Sequence, residues 1–170
     1  HIQKIVEAAM ERQKITGAVV VEDVYTGDIM AMASKPDYDQ NSVENYLSSP
    51  KNELFNRAVA SYNVGSIFKI VDAILMFKSS YNMDKEYFCP GYIRIGDKEF
   101  KCSSYDRGGH GWINFKDAFA YSCNPYFINA GVRIGNEDLT SMAGKLGLGR
   151  YTGIKEQGID ESPGRLPDIN

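Results

Sequence analysis

The segment Ser66-Ile67-Phe68-Lys69 sets a hydroxyl three residues before an amine. On a helix, positions i and i+3 share a face, so the two side chains can meet. An amine set into an apolar helix is desolvated, which disfavours its charged form, and a neutral amine can take the proton of a serine nucleophile. The N–H groups of a first helical turn, with the positive end of the helix dipole, favour the oxyanion that acyl transfer develops. A second pair, Ser122 and Asn124 on either side of Cys123, offers a hydroxyl that can relay a proton and a carboxamide that can hold an amide.

Neither pattern is specific alone. A chain this long holds about one S-x-x-K by chance, and a second one is present at Ser48-Ser49-Pro50-Lys51, where Pro50 breaks the helix geometry the pair would need. Ser61-Tyr62-Asn63 and Ser80-Tyr81-Asn82 repeat S-x-N. Taken singly, Ser66 reads equally well as the N-cap of a core helix, Lys69 as a snorkelling lysine, and Ser122-Cys123-Asn124 as a polar turn satisfying its own backbone. His110, between Gly109 and Gly111, reads as a turn residue rather than a triad base, because Lys69 already fills that role. Asp72, one turn beyond Lys69, can pair with it or bond elsewhere. Cys123 reads as a small buried filler, and Asp37 to Asn45 as a solvated loop.

The elements that must carry these groups follow from periodicity. Ile2, Ile5, Val6 and Ala9 recur at helical spacing over residues 2 to 13, and Thr16-Gly17 ends that helix. Ala18 to Val21 and Ile29 to Ala33 form two apolar strands around Tyr25-Thr26-Gly27-Asp28, a hairpin packed on the first helix. Ser34 to Ser61 is a polar crossing loop with room for a short helix at Val43 to Leu47. Ser66 to Ser79 leaves almost no polar face and predicts a helix buried on nearly all sides. Residues 92 to 102 alternate around Gly96-Asp97, a small hairpin with Cys89 and Cys102 near its open end. Two further helices are expected over Phe115 to Ala130 and Glu137 to Leu146, and the last twenty residues read as loop.

Of 170 residues, 43% are hydrophobic, 12% aromatic and 24% charged, enough to bury a core as one domain. A net charge of −3 gives no electrostatic reason to expect nucleic acid or anionic lipid as partners. No stretch approaches the roughly 18 apolar residues of a transmembrane helix, and no leader precedes a cleavage site. The cysteines Cys89, Cys102 and Cys123 are too few for a disulfide scaffold, and their spacing does not resemble a zinc site, so no metal is expected. A first residue that is His1 rather than Met, and an end without cap or strand signal, suggest a fragment.

Order and setting add weight. The string Asn56-Arg57-Ala58, Tyr62, Gly65-Ser66-Ile67-Phe68-Lys69-Ile70, His110-Gly111 and Ala120-Tyr121-Ser122-Cys123-Asn124-Pro125-Tyr126-Phe127 resembles the transpeptidase domain of penicillin-binding proteins, the class B branch in particular. The resemblance takes in Gly17 to Asn41 and reaches Gly164-Arg165-Leu166-Pro167, most of the chain. It implies an α/β (α+β) chain: the N-terminal part of a β-lactamase/transpeptidase-like fold, with a few antiparallel strands and an incomplete central sheet. One partial domain is expected over 1–170, with helix and hairpin at 1–34 and a mainly helical subdomain at 35–170. It further implies Ser66 as acylated nucleophile, Lys69 as its base, Ser122 as proton relay and Asn124 as substrate-amide clamp. Two departures stand out: Val64 replaces the usual Pro before the glycine, and the third motif, a Lys-Thr/Ser-Gly strand, is absent from the chain. Losing one oxyanion donor costs about 10²–10³ in rate, so without that strand the chain alone is expected to turn over little.

The expected function is therefore peptidoglycan D,D-transpeptidation. Stem peptides are the acyl donors and acceptors, and β-lactams are covalent inhibitors. The remaining C-terminal part of the domain and a cell-wall synthesis complex are the partners. No cofactor or metal is implied, and the setting is the extracytoplasmic face of a bacterial membrane. A Cys89–Cys102 disulfide is expected there, contributing about 2–4 kcal/mol. A serine β-lactamase, a β-lactam sensor and a non-catalytic module keeping the fold remain as rivals.

Overall fold

Gln3, Val6, Ala9 and Met10 share one side of helix α1 (Ile2–Arg12), with Met10 fully inside. In this computed structural model, which describes residues 1–154 and 158–167, Ile2 and Ile5 stay exposed. The inward stripe is thus shifted by one position from the apolar spacing read in the sequence. Gln3 fastens the helix to the hairpin: its Nε2 donates to the Met32 carbonyl at 2.8 Å and its Oε1 accepts from the Met32 N–H at 2.8 Å. One side chain thereby satisfies both backbone groups of a strand residue.

Strands β1 (Gly17–Glu22) and β2 (Ile29–Lys35) pair antiparallel, Val19 opposite Ala33 and Val21 opposite Ala31. The period of two sets these four on one face, and Ala31 and Ala33 are buried. The turn is pinned by Asp23, whose carboxylate accepts from the Tyr25 and Thr26 N–H groups.

The described residues form two compact units, residues 1–61 with 153–162, and residues 62–152 with the segment from Pro163 on. Residues 35–61, read from sequence with the helical subdomain, group instead with the hairpin. Arg57 explains why: its guanidinium donates to the carbonyls of Lys51, Asn52 and Phe55, and its N–H to Ser34 Oγ at the end of β2. Within this loop Val43–Tyr46 makes one short 3₁₀ turn.

The second unit carries the chemistry. A 3₁₀ turn at Gly65–Phe68 runs into helix α2 (Lys69–Lys78). Strand β3 (Tyr87–Cys89) pairs with β6 (Gly111–Ile113), and β4 (Tyr92–Ile95) with β5 (Lys98–Lys101), both antiparallel. Helices α3 (Phe115–Ala120), α4 (Asn124–Ile134) and α5 (Asn136–Lys145) follow. Met76 of α2, Cys89, Cys102, Ile113, Ala118 and the Tyr126-Phe127-Ala130 face of α4 form the main core. Val71 of α2 packs with Met142 and Ala143 of α5 in a second cluster. Residues 158–167 form neither helix nor strand, while 155–157 and 168–170 lie outside the described residues.

Two expectations change here. Helix α2 is not enclosed: Val71, Ala73 and Met76 are buried, but Ile70 is 49% and Phe77 66% exposed. Apolar composition marks a surface that is able to be covered, not one that is covered. The single helix expected over Phe115 to Ala130 is broken at 121–123, where Ser122 has φ +53°. Pro125 sits in the first turn of α4, where its missing N–H costs nothing; in mid-helix it would have removed a hydrogen bond and clashed with the preceding turn. No helix among the described residues is long and apolar enough to cross a membrane.

Candidate active site

Lys69, the first residue of α2, directs its amine to the break between α3 and α4. Its Nζ donates to Ser66 Oγ at 3.0 Å, to Ser122 Oγ at 2.9 Å, to the Ser122 carbonyl at 3.0 Å and to Asn124 Oδ1 at 2.6 Å. An ammonium has three protons and a neutral amine two, so these four acceptors compete for them. Both hydroxyls and the carboxamide singled out in the sequence therefore converge on one nitrogen. The left-handed backbone at Ser122 turns its side chain and its carbonyl toward the same amine, which a continuous helix could not do.

Asn124 is held at its other end as well, its Nδ2 donating to the Lys101 carbonyl at 2.8 Å. Ser66 is exposed and lines a cleft of ≈ 590 Å³ with Lys69, Asp72, Asn124, Phe127, and Ile95 and Phe100 of the β4–β5 hairpin. Partial burial pushes the Lys69 amine below its ordinary value of 10.5, opposed by charge on Cys102, Cys123 and Asp72. Asp72 is itself buried, and desolvation raises its carboxyl to about 6 against the pull of Lys69. The sequence left open whether Asp72 pairs with Lys69; the amine turns to Ser66, Ser122 and Asn124 instead.

The arrangement suits serine acyl transfer. A lysine amine that loses its proton can accept one from Ser66 Oγ, and the Ser122 hydroxyl on the far side of the same amine can carry it onward. His110 takes no part: its ring stacks on Tyr121 at 5.3 Å and its Nδ1 lies 3.5 Å from Cys102 Sγ.

The expected Cys89–Cys102 disulfide is not formed; Cys89, Cys102 and Cys123 are three buried free thiols. Cys102 Sγ faces Cys123 Sγ at 3.9 Å, and Cys89 Sγ lies within 4.8 Å of both, so three thiols share one place in the core instead of two facing each other alone. Burial works against a Cys102 thiolate, the Ser104 and Asn124 N–H groups favour it, and the balance brings this thiol down to about 7. Burial pushes the Cys123 thiol up. One atom from each of Cys89, Cys102, His110 and Cys123 falls within a 4.8 Å cluster, the group among the described residues that could hold a metal ion. Sequence reasoning missed it because its members are scattered, the nearest pair being eight residues apart.

Residues 17–167 match the family model of the penicillin binding protein transpeptidase domain. The chain is 31% identical to stage V sporulation protein D of Bacillus subtilis over 78% of this chain and 20% of that protein. It is 28% identical to the peptidoglycan D,D-transpeptidase MrdA of Escherichia coli over 98% of this chain and 27% of that protein. The structure of penicillin-binding protein A from Mycobacterium tuberculosis as its penicillin G acyl-enzyme superposes with a TM-score of 0.77 at 26% identity, covering 90% of this chain and 39% of that one. The chain thus spans about a fifth to a quarter of the length of these two curated relatives.

Proposed function

The chain belongs to the penicillin-binding protein transpeptidase family, and from that premise we propose that it supplies the nucleophile-bearing part of a peptidoglycan D,D-transpeptidase. The observation that supports this reading is the single amine of Lys69 in hydrogen-bond contact with the hydroxyls of both Ser66 and Ser122. Neutral Lys69 takes the Ser66 proton as Oγ attacks the carbonyl of the penultimate D-alanine of a stem peptide. The tetrahedral intermediate collapses as Ser122 passes a proton to the departing D-alanine amine, leaving an acyl-Ser66 ester. The amine of a neighbouring stem then attacks the ester, its proton returns through the same pair, and the cross-link is made. Asn124 holds Lys69 and borders the cleft in which the substrate amide lies.

A β-lactam acylates the same oxygen by ring opening, with the proton delivered to the lactam nitrogen. The partners are peptidoglycan stems, the C-terminal part of the transpeptidase domain with its Lys-Thr-Gly strand, and the machinery that supplies new glycan strands outside the cytoplasm. Residues 1–170 act as one partial transpeptidase domain in this reading.

The test is intact mass after incubation with penicillin G, on this chain and on the chain extended by a Lys-Thr-Gly-bearing segment, each beside its Ser66→Ala form. An adduct of one penicillin that needs Ser66 is expected in the extended form. A Ser66-independent adduct, or none in the extended form, overturns the assignment. Rapid release of hydrolysed penicillin would turn the reading toward a β-lactamase.

A further inference from the structure

Four thiophilic or imidazole ligands arrive at one point from four segments. Cys89 ends β3, Cys102 follows β5, His110 precedes β6, and Cys123 caps α4. Cys89, Cys102 and Cys123 are buried and His110 is half-buried, and their ligand atoms all lie within 4.8 Å of one another. A tetrahedral zinc with bonds of about 2.3 Å to sulfur and 2.0–2.1 Å to nitrogen sets sulfurs about 3.8 Å apart and sulfur and nitrogen about 3.5 Å apart. The observed separations are 3.9 Å for Cys102 Sγ to Cys123 Sγ and 3.5 Å for Cys102 Sγ to His110 Nδ1. Cys89 Sγ lies within 4.8 Å of the other three ligand atoms, a distance that side-chain rotation can shorten to that of a shared cation.

We infer that Cys89, Cys102, His110 and Cys123 form a Cys₃His site for one structural Zn²⁺. All four positions are taken by protein, so the site is closed and does no Lewis-acid chemistry. The thiols bind as thiolates and release their protons, and His110 binds neutral through Nδ1. Surrounding groups suit a charged sulfur: Ser104, buried two residues beyond Cys102, turns both its N–H and its hydroxyl toward the Cys102 sulfur.

The site acts on catalysis by position. Cys123 stands between Ser122 and Asn124, and Cys102 follows Lys101, whose carbonyl holds Asn124 Nδ2. A cation joining Cys102 and Cys123 ties the start of α4 to the end of the β4–β5 hairpin. It thereby fixes the turn that presents Ser122 to Lys69. A disulfide between two of these cysteines would compete with the cation for the same sulfurs and leave the third thiol unbound.

The experiment is metal analysis of the protein purified without chelator, followed by replacement of the bound metal with Co²⁺. About one Zn²⁺ per chain is expected, with the thiolate-to-cobalt charge-transfer and tetrahedral ligand-field bands of an S₃N site. Alkylation of the three cysteines should be slowed at least about tenfold until a chelator is added. His110→Cys should keep the metal as a Cys₄ site while His110→Ala weakens it, a comparison that separates ligation from folding. Metal-free protein that takes up no Co²⁺, prompt alkylation of all three thiols, or a Cys102–Cys123 disulfide in the native protein would each overturn the site.

Discussion

Asn124 Oδ1 accepts from Lys69 Nζ at 2.6 Å, the shortest of the four contacts this amine makes. With its Nδ2 on the Lys101 carbonyl, the carboxamide spans the break between helices and fixes where the amine points. Asn124→Ala should therefore misplace the base as well as empty a binding position. The expected result is a loss of about 10²-fold in the rate of Ser66 acylation by penicillin G, the scale of an ångström-level misplacement. A loss confined to initial penicillin binding, with the acylation step itself unchanged, would assign Asn124 to substrate alone.

Because burial lowers the Lys69 pKa below 10.5, the neutral, proton-accepting fraction grows as pH rises and saturates before an exposed lysine would. Acylation should climb with pH to a plateau whose midpoint lies under 10.5. Lys69→Arg stays charged throughout and should lose both the climb and about 10²–10⁴ in rate. A wild-type profile that is flat from about pH 6 to 10 would remove Lys69 from the base role.

The pairing of Ser66 with Lys69 was legible because it is local: three residues of spacing suffice to bring the two together, in the observed 3₁₀ entry to α2 as on an α-helix. The N-terminal hairpin was legible because its strands alternate over several residues around a turn-forming tetrad. The β3–β6 pair was not, since three-residue strands such as Tyr87–Cys89 and Gly111–Ile113 are too short to show a period. The break at Ser122 had a readable signal in Pro125, overridden by the apolar run on either side. The convergence of Cys89, Cys102, His110 and Cys123 had none, because it depends on how four separate segments close over one core.

Ser122 occupies the left-handed region at φ +53°, where a side chain costs about 1–2 kcal/mol and a β-branched one more. Ser122→Gly should keep stability within about 1 kcal/mol of wild type while acylation and turnover fall with the lost hydroxyl. Ser122→Val, which puts two γ-carbons where serine has one oxygen, should cost at least about 2 kcal/mol. Denaturant melts of the two variants decide it: equal losses would mean that the strained turn carries no energy of its own.

Gly109 brings the segment holding His110 against β3. A Cβ there would run into the Cys89 carbonyl oxygen and the Gly91 nitrogen, both backbone, and its φ of +96° disfavours any side chain. Gly109→Ala should cost about 3 kcal/mol or more, whereas Gly108→Ala, with φ +82° and open space around it, should cost about 1 kcal/mol. Thermal unfolding of the pair tests this; comparable losses would show that the close approach of Gly109 to β3 is not what limits substitution.

Asp72 is a buried carboxylate whose pKa is raised from 3.8 to about 6 by desolvation. The folded state thus holds a proton that the unfolded chain has already released. Below about pH 4 both states are protonated and the group contributes nothing. As pH rises toward 6 the unfolded state gains by ionising first, so stability falls, and above the folded pKa the full penalty is present. At about 1.4 kcal/mol per unit, Asp72→Asn should stabilise the protein near pH 7.5 by up to about 3 kcal/mol, with the gain gone at about pH 4. Because Asp72 is one of the charges holding the Lys69 pKa up, the same variant should move the acylation profile to lower pH. Denaturant melts at the two pH values, paired with the acylation profile, read both effects. A variant equally stabilised at both pH values would place the effect in packing and not in the carboxylate's charge.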